Sequence, residues 1–442
     1  MAAKANTLAR APRGVERLGR ALRGVERLGR ALRGVARLGR TLPGAVTLAI
    51  SLAMIVAPVA AGASIPAPPS LPTRAEALIE ESTGQQILGE NANAELAIAS
   101  TTKLMTALVT LHHARLSDVF ADPDFSYAAQ DSQIHLEPGE RMSVHDLVIA
   151  MMLPSADDAA EDLAYNVGHG SVARFVAMMN ARARELSLDH THYSTPIGLD
   201  TPGNYSSASD LTKLARYLLR SEPFIRVVVA KKGAVLRTGN HVRVVTNLNY
   251  LVDRYSWING VKTGHTLQAG YVLVASGTQH GMTLIDAVLG TPSETARDDS
   301  ALALLNWGFA NFELRTPVKA GQLLARAAVL GGTAQQTARL IAKSTDTHVF
   351  AKSARVSVRV HAPARLTGPL PAGTVVGWAA VRDGGQVQAR IPLVLAAALP
   401  KIRHATTTLK SVVVLSATLS GLVLAAGAAI GLRMFWREWS RG

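Results

Sequence analysis

Three short stretches of this 442-residue chain hold side chains that could do covalent chemistry together. The first is STTKLMTALVTL, in which Ser100 is the only serine of the chain followed three positions later by lysine, Lys103. A serine hydroxyl is a weak nucleophile until a base takes its proton. A lysine amine can do so only if it is neutral part of the time, which burial and positive neighbours bring about. Helical spacing puts the two on one face, within reach of each other. The second stretch is MLPSADDAAEDLA, with Ser155 and Asp157, and the third is NGVKTGHT, with Lys262, Thr263 and Gly264. Each has a plainer reading. Ser100 or Thr101 would cap a helix, Ser155 would cap another with Asp158 three residues on, and Lys262 would end a strand at the surface. What weighs against coincidence is the order of the three stretches at separations of 55 and 107 residues.

The elements that must position these residues can be read around them. Leu104, Met105, Ala107, Leu108 and Leu111 recur at helical spacing, so the run after Thr102 is an apolar helix. A hairpin is expected in ALIEESTGQQILG with Ser82-Thr83-Gly84 as its turn. Helices should begin near Ser143 and Ser155 and cover 172–186, 207–219 and 294–307. Strands are expected at RVVVA, AVLRT, HVRVVT, GYVLVASG and MTLIDAVLG. Gly264, following Lys262 in its strand, would let a peptide approach the backbone. Strands clustering late among helices favour an α+β fold, an antiparallel sheet with flanking helices, over a doubly wound parallel one. Beyond Pro317, VSVRVHA, GTVVGWAAV and QVQARIPLVL read as a separate small β domain.

The ends of the chain are different in kind. Residues 1–43 are a basic leader built on a decamer repeat, and its first forty residues hold eleven Lys or Arg against two acids. This leader could form an amphipathic helix on an anionic membrane, or be an unstructured repeat expansion; its glycines oppose the helix. It carries +9 of the total +14, so a nucleic-acid role is disfavoured and no basic face is required of the folded part. Residues 44–63, apolar after arginines and closing on Ala61-Gly62-Ala63, describe an export signal or signal anchor. A proline-rich linker, 64–74, follows. Residues 401–411 read as a juxtamembrane linker and 412–432 as an uncharged, 21-residue transmembrane helix. The tail 433–442 would be cytoplasmic, leaving the folded part on the extracytoplasmic side of the cell membrane. There are no cysteines, and the adjacent His112 and His113 point apart on a helix, so no metal site is expected; chemistry between a serine and a lysine needs no cofactor, and none is expected.

The three stretches, with TPIGLDTPGNYSSASDL and AVLGTPSETARDDSALALLNWGF, closely resemble the D-alanyl-D-alanine carboxypeptidases of peptidase family S11, the low-molecular-weight penicillin-binding proteins. The resemblance covers about 75–315, expected as the serine peptidase domain, and PAGTVVGWAAVRDGGQVQARIPLVLA in 316–400 looks like the family's C-terminal β domain. It implies a fold like that of β-lactamases and DD-peptidases. Removal of the terminal D-alanine from peptidoglycan stem pentapeptides is the implied reaction, with β-lactam antibiotics as covalent inhibitors. By matching position, Ser100 is the acylated nucleophile and Lys103 its base. Ser155 relays protons, Lys262 supports that relay, Thr263 and Arg297 bind the terminal carboxylate, and the backbone N–H groups of Ser100 and His265 form the oxyanion hole. The family usually has asparagine where this chain has Asp157. A carboxylate there favours protonated lysines and works against the base role. Two rivals follow: a β-lactamase, disfavoured because no glutamate has asparagine four positions on, and a membrane-tethered binder of the cell wall or of a partner, with weak or no catalysis.

Overall fold

The computed structural model describes residues 65–125, 131–330 and 336–401, with 426–428, 430 and 433 near the C-terminus. The leader, the export segment and nearly all of the 412–432 run lie outside the described residues. No described helix is long and apolar enough to cross a membrane.

The chain opens with the expected hairpin, β1 (Ala75–Glu80) and β2 (Gln86–Glu90). A 3-10 turn, Ala99–Thr102, runs into α1 (Lys103–His113). The short pair β3 (Val119–Ala121) and β4 (Arg141–Ser143) precedes α2 (Val144–Met152), α3 (Asp157–Val167), α4 (Val172–Glu185), α5 (Ala208–Ser221) and α6 (Pro223–Val229). Ser143, Ser171 and Ser207 cap α2, α4 and α5, each hydroxyl accepting a backbone N–H three residues on. The hairpin β5 (Gly233–Leu236) and β6 (Arg243–Thr246) and the turn α7 (Leu251–Arg254) lead to three long strands. These are β7 (Ile258–Thr266), β8 (Gly270–Gln279) and β9 (Met282–Thr291), followed by α8 (Glu294–Asn311).

The run RVVVA corrects the reading above: it lies in and just after α6, not in a strand. Pro223 starts that helix at its first turn, where its missing N–H costs nothing, and Ile225, Val228 and Val229 face the core. Burial on one side of a short helix overrode the β-branched propensity. The last helix also runs about one turn beyond Trp307, to Asn311.

β1, β2, β7, β8 and β9 form one antiparallel sheet in the order β2-β1-β9-β8-β7, so the first strand closes onto the last across some two hundred residues. Its faces follow the period of two. Ala77, Ile79, Val272 and Val274 pack against α1 to α6, whereas Leu78, Leu273 and Ala275 pack against α8 through Leu304, Leu305 and Phe309. α1 passes through the middle of the helical layer and is buried from Lys103 to Thr110. Each fully buried apolar side chain there is worth about 1.5–3 kcal/mol, so the position of Ser100 and Lys103 is held by the core.

The second layered unit begins as α8 ends. β10 (Phe312–Val318), which spans the expected division at 315/316, pairs with β13 (Asp346–Ala351). β11 (Leu323–Val329), β12 (Thr337–Ala342), β14 (Val356–His361), β15 (Arg365–Leu366), β16 (Val375–Asp383) and β17 (Gln386–Leu395) form a six-stranded sheet in the order β14-β16-β17-β12-β11-β15.

Candidate active site

Ser100 sits inside the 3-10 turn that feeds α1. Neither Ser100 nor Thr101 is the expected N-cap. Thr102 holds that position without a side-chain bond, and the Thr101 hydroxyl donates to the Ile98 carbonyl at 2.6 Å. The Ser100 hydroxyl faces Lys103 instead. Lys103 Nζ donates to Ser100 Oγ at 2.9 Å, to the Ile197 carbonyl at 2.9 Å and to Asp157 Oδ1 at 2.5 Å. Three acceptors match the three protons of an ammonium. Burial pushes the Lys103 pKa down, and the charge and hydrogen bond of Asp157 push back, helped by Glu161 and Asp158. The result lies below the ordinary lysine range.

Ser155 occupies the turn between α2 and α3 with φ 66°, in the left-handed region, which a non-glycine residue enters at a cost of about 1–3 kcal/mol. It does not cap α3. Ala156 precedes that helix, and Asp158 spends its carboxylate on the backbone N–H groups of Ile134, Leu136 and Ala159. The Ser155 hydroxyl accepts from Lys262 Nζ at 2.9 Å, and the same amine donates to the Thr263 carbonyl at 3.0 Å. Lys262 is in β7, as expected, but buried rather than at a surface strand end. Burial, then the charge of Lys103, hold its pKa well below the lysine range, with Arg297 pushing the same way and Asp157 opposing. The site thus contains two buried amines, each bonded to one serine hydroxyl, with one carboxylate acting on both.

Gly264 has a use within the fold that the sequence did not show. A Cβ there would lie 2.9 Å from both Ser100 N and Ala99 Cβ, so the close approach is that of the chain's own nucleophile turn to β7. Gly198 acts in the same way. At φ +96° it passes so near the Ala99 carbonyl that a Cβ would sit 2.0 Å from its oxygen, and it follows the Ile197 carbonyl that binds Lys103. Ser100, Ser155, Thr263, Gly264, His265 and Arg297 line a common cleft of about 360 Å³. Lys103, Asp157 and Lys262 stand behind that lining and reach it through the two hydroxyls. His265 is exposed, its ring stacked on Tyr271 at 4.0 Å. Arg297, in the first turn of α8, is 4 % exposed and bound through Nε to Asp298 at 2.9 Å and through Nη2 to Glu294 at 3.4 Å.

Three contributors escaped the sequence reading. The Ser132 carbonyl accepts the Asp157 N–H at 2.6 Å, fixing the start of α3, and Ser132 lines the cleft. Its surroundings, QDSQIHLEPG, have no pattern that would mark it. The Ile197 carbonyl and Gly198 lie in TPIGLD, which had carried resemblance but no role. What the arrangement can do is activate a serine for acyl transfer and return a proton to a leaving amine, with no other group required on the described residues.

Comparison with known proteins decides the family. Residues 63–293 match the model of peptidase family S11, D-alanyl-D-alanine carboxypeptidase. The chain belongs to this family. Among its relatives, the D-alanyl-D-alanine carboxypeptidase DacA of Escherichia coli strain K12 is 31 % identical over 76 % of this chain and 86 % of that protein. DacF of Bacillus subtilis strain 168 is 30 % identical over 72 % of this chain and 83 % of its own length. The crystal structure of penicillin-binding protein 5 from Haemophilus influenzae superposes with a TM-score of 0.64 at 28 % identity, covering 76 % of this chain and 99 % of that one. The family's fold, mixed helix and sheet, is the one described above.

Proposed function

We propose that this S11 family member removes the terminal D-alanine of peptidoglycan stem pentapeptides through an acyl-serine intermediate. The observation that carries the mechanism is the contact of the fully buried Lys103 amine with Ser100 Oγ, 2.9 Å, at the floor of a polar cleft. In this reading neutral Lys103 takes the Ser100 proton as Oγ attacks the carbonyl of the D-alanyl-D-alanine bond. The oxyanion so formed accepts hydrogen bonds from the backbone N–H groups of Ser100 and His265. Collapse breaks the peptide bond, and the leaving amine takes a proton through Ser155, which Lys262 resupplies. Water then hydrolyses the ester along the reverse proton route. Thr263 and Arg297 hold the terminal carboxylate. β-Lactams acylate the same serine, and Ser100, Lys103, Ser155 and Lys262 form the catalytic set.

The setting proposed for this reaction is the outer face of the cell membrane. It is supported by the apolar run with a small-residue close at 44–63 and the uncharged 21-residue run at 412–432. A second reading rests on Asp157: the carboxylate bonded to Lys103 could slow the base enough to leave a cell-wall binder. D-alanine release from a synthetic pentapeptide, compared with a Ser100→Ala variant, separates the two. Release lost in the variant supports the peptidase, and release at the level of the variant leaves only the binder.

A further inference from the structure

The chain's net charge is unevenly divided between its folded parts. Residues 65–315 hold 19 Lys or Arg against 27 acids, whereas residues 316–401 hold eleven against two, Asp346 and Asp383. The expectation that the folded part needs no basic face came from adding these opposite charges together. Strand register shows where the positive charge goes. Arg326 is the cross-strand partner of Arg339, and Ala328, two residues along on the same face, is the partner of Arg365. Through Ile341 and Val394 that face continues onto β17, where Arg390 stands opposite Ala380, itself opposite Arg359 of β14. Five arginines therefore share one face of the six-stranded sheet, and all five are exposed. The other face is the core, with Ala327, Leu340, Ala379 and Leu393 buried.

No described acid neutralises them. Asp346 lies on β13 in contact with His348, and none of the five arginines is held in an ion pair with a described residue. Arg326 directly opposite Arg339 is a like-charge pair that destabilises a sheet. The arginines form two groups about 20 Å apart along the strands, Arg326, Arg339 and Arg365 in one and Arg359 and Arg390 in the other. Trp378 lies with Arg359 and Arg390, its ring under the Arg390 guanidinium at 4.7 Å and stacked on His361 at 4.0 Å. Exposed arginines at both ends of one sheet face, with an indole at one end, match the interfacial region of an anionic bilayer. The chain also leaves the sheet at the three-arginine end, where Ala396 bonds to Arg339 and Leu399 to Leu370. Ten residues separate Lys401 from Val412, where the apolar run begins.

We propose that this arginine face docks onto the anionic phospholipid surface of the membrane, laying the β domain against the bilayer. The proposal rests on the membrane-tethered reading above. Because the chain has no cysteine, a single fluorophore can be placed on the face through Thr337→Cys or Ser357→Cys, both exposed outward-facing positions. The full chain is mixed with phosphatidylcholine vesicles, with or without phosphatidylglycerol, carrying a headgroup acceptor. The tether alone brings both positions near the acceptor in either vesicle; docking adds further energy transfer from both when phosphatidylglycerol is present, and added salt abolishes that increase. Since each arginine near an anionic leaflet is worth about fivefold, Arg326→Glu, Arg339→Glu and Arg390→Glu together lower the docked-to-undocked ratio by about a hundredfold or more. This triple variant keeps D-alanine release from a soluble peptide, which verifies its fold. Equal transfer in both vesicle types, or no effect of the triple variant, overturns the proposal. So does a response to soluble polyphosphate without transfer to lipid. Flotation with pure phosphatidylcholine reads the tether separately: if the chain fails to float there but phosphatidylglycerol vesicles recruit it and the variant does not bind them, tethering fails and docking stands.

Discussion

In an Asp157→Asn variant, Lys103 loses the one carboxylate among the described residues that touches its amine, at 2.5 Å. An opposite charge at this range raises a lysine pKa by about 1–3 units, equivalent to about 1.4–4 kcal/mol. The amide cannot supply that, and the more distant Glu161 and Asp158 restore only part of it. The pKa of Lys103 therefore falls further, and that of Lys262 falls with it, because Asp157 raises both. A base acts in its neutral form, so the rate climbs with pH through the pKa of Lys103. The acid limb of kcat/KM therefore moves to lower pH. On that limb the variant is faster than the parent by about tenfold for each pH unit the limb moves, while its plateau is lower because a weaker base remains. Stopped-flow acylation by a chromogenic β-lactam across the acid to mildly alkaline range reads this directly, with thermal unfolding to verify folding. An acid limb that stays in place or moves upward refutes the assignment of Lys103 as the base under Asp157 control.

Other perturbations test the framework around the site. Gly264→Ala forces β7 away from the Ser100 turn; overpacking of this kind costs about 1–3 kcal/mol, and acylation should drop at least about tenfold, read by kinetics alongside Tm. Glu140, which burial alone would raise, is brought down to about 2 by Arg243 and backbone N–H groups. Its stabilising contribution is present above the unfolded carboxylate pKa and is lost as pH falls toward 2. Arg243→Met strands that carboxylate and should cost about 3–5 kcal/mol at neutral pH, with the loss shrinking in acid, as urea titrations at two pH values will show. Asp162 is pushed up to about 7 by burial, then by Asp122. It penalises folding progressively as pH rises from the unfolded value to about 7, so Asp162→Asn should gain on the order of 2–4 kcal/mol above that pH and nothing in acid.

Much of the site was legible because its chemistry is local. Ser100 and Lys103 share one helical turn, and Ser155 and Lys262 were marked by the residues beside them. Their plainer readings failed for reasons only packing supplies. Ser155 is held at positive φ facing Lys262, and Thr101 spends its hydroxyl on Ile98, so neither stretch caps a helix. RVVVA read as a strand because the contacts that make it a helix come from distant chain. Gly264 was noticed, yet which backbone approaches it depends on how β7 crosses the 3-10 turn. The arginine face was hidden twice, by summing charge over the whole chain and by a cross-strand register that joins residues far apart in sequence.

The central claim is that Ser100 is acylated with Lys103 as its base. Intact-mass analysis of the protein after exposure to penicillin tests it most directly, with peptide mapping and the Ser100→Ala and Lys103→Met variants beside it. The account predicts one stable adduct on Ser100, absent in Ser100→Ala and formed about 10²- to 10⁴-fold more slowly in Lys103→Met. No adduct in the parent, or an adduct on another residue, would contradict it.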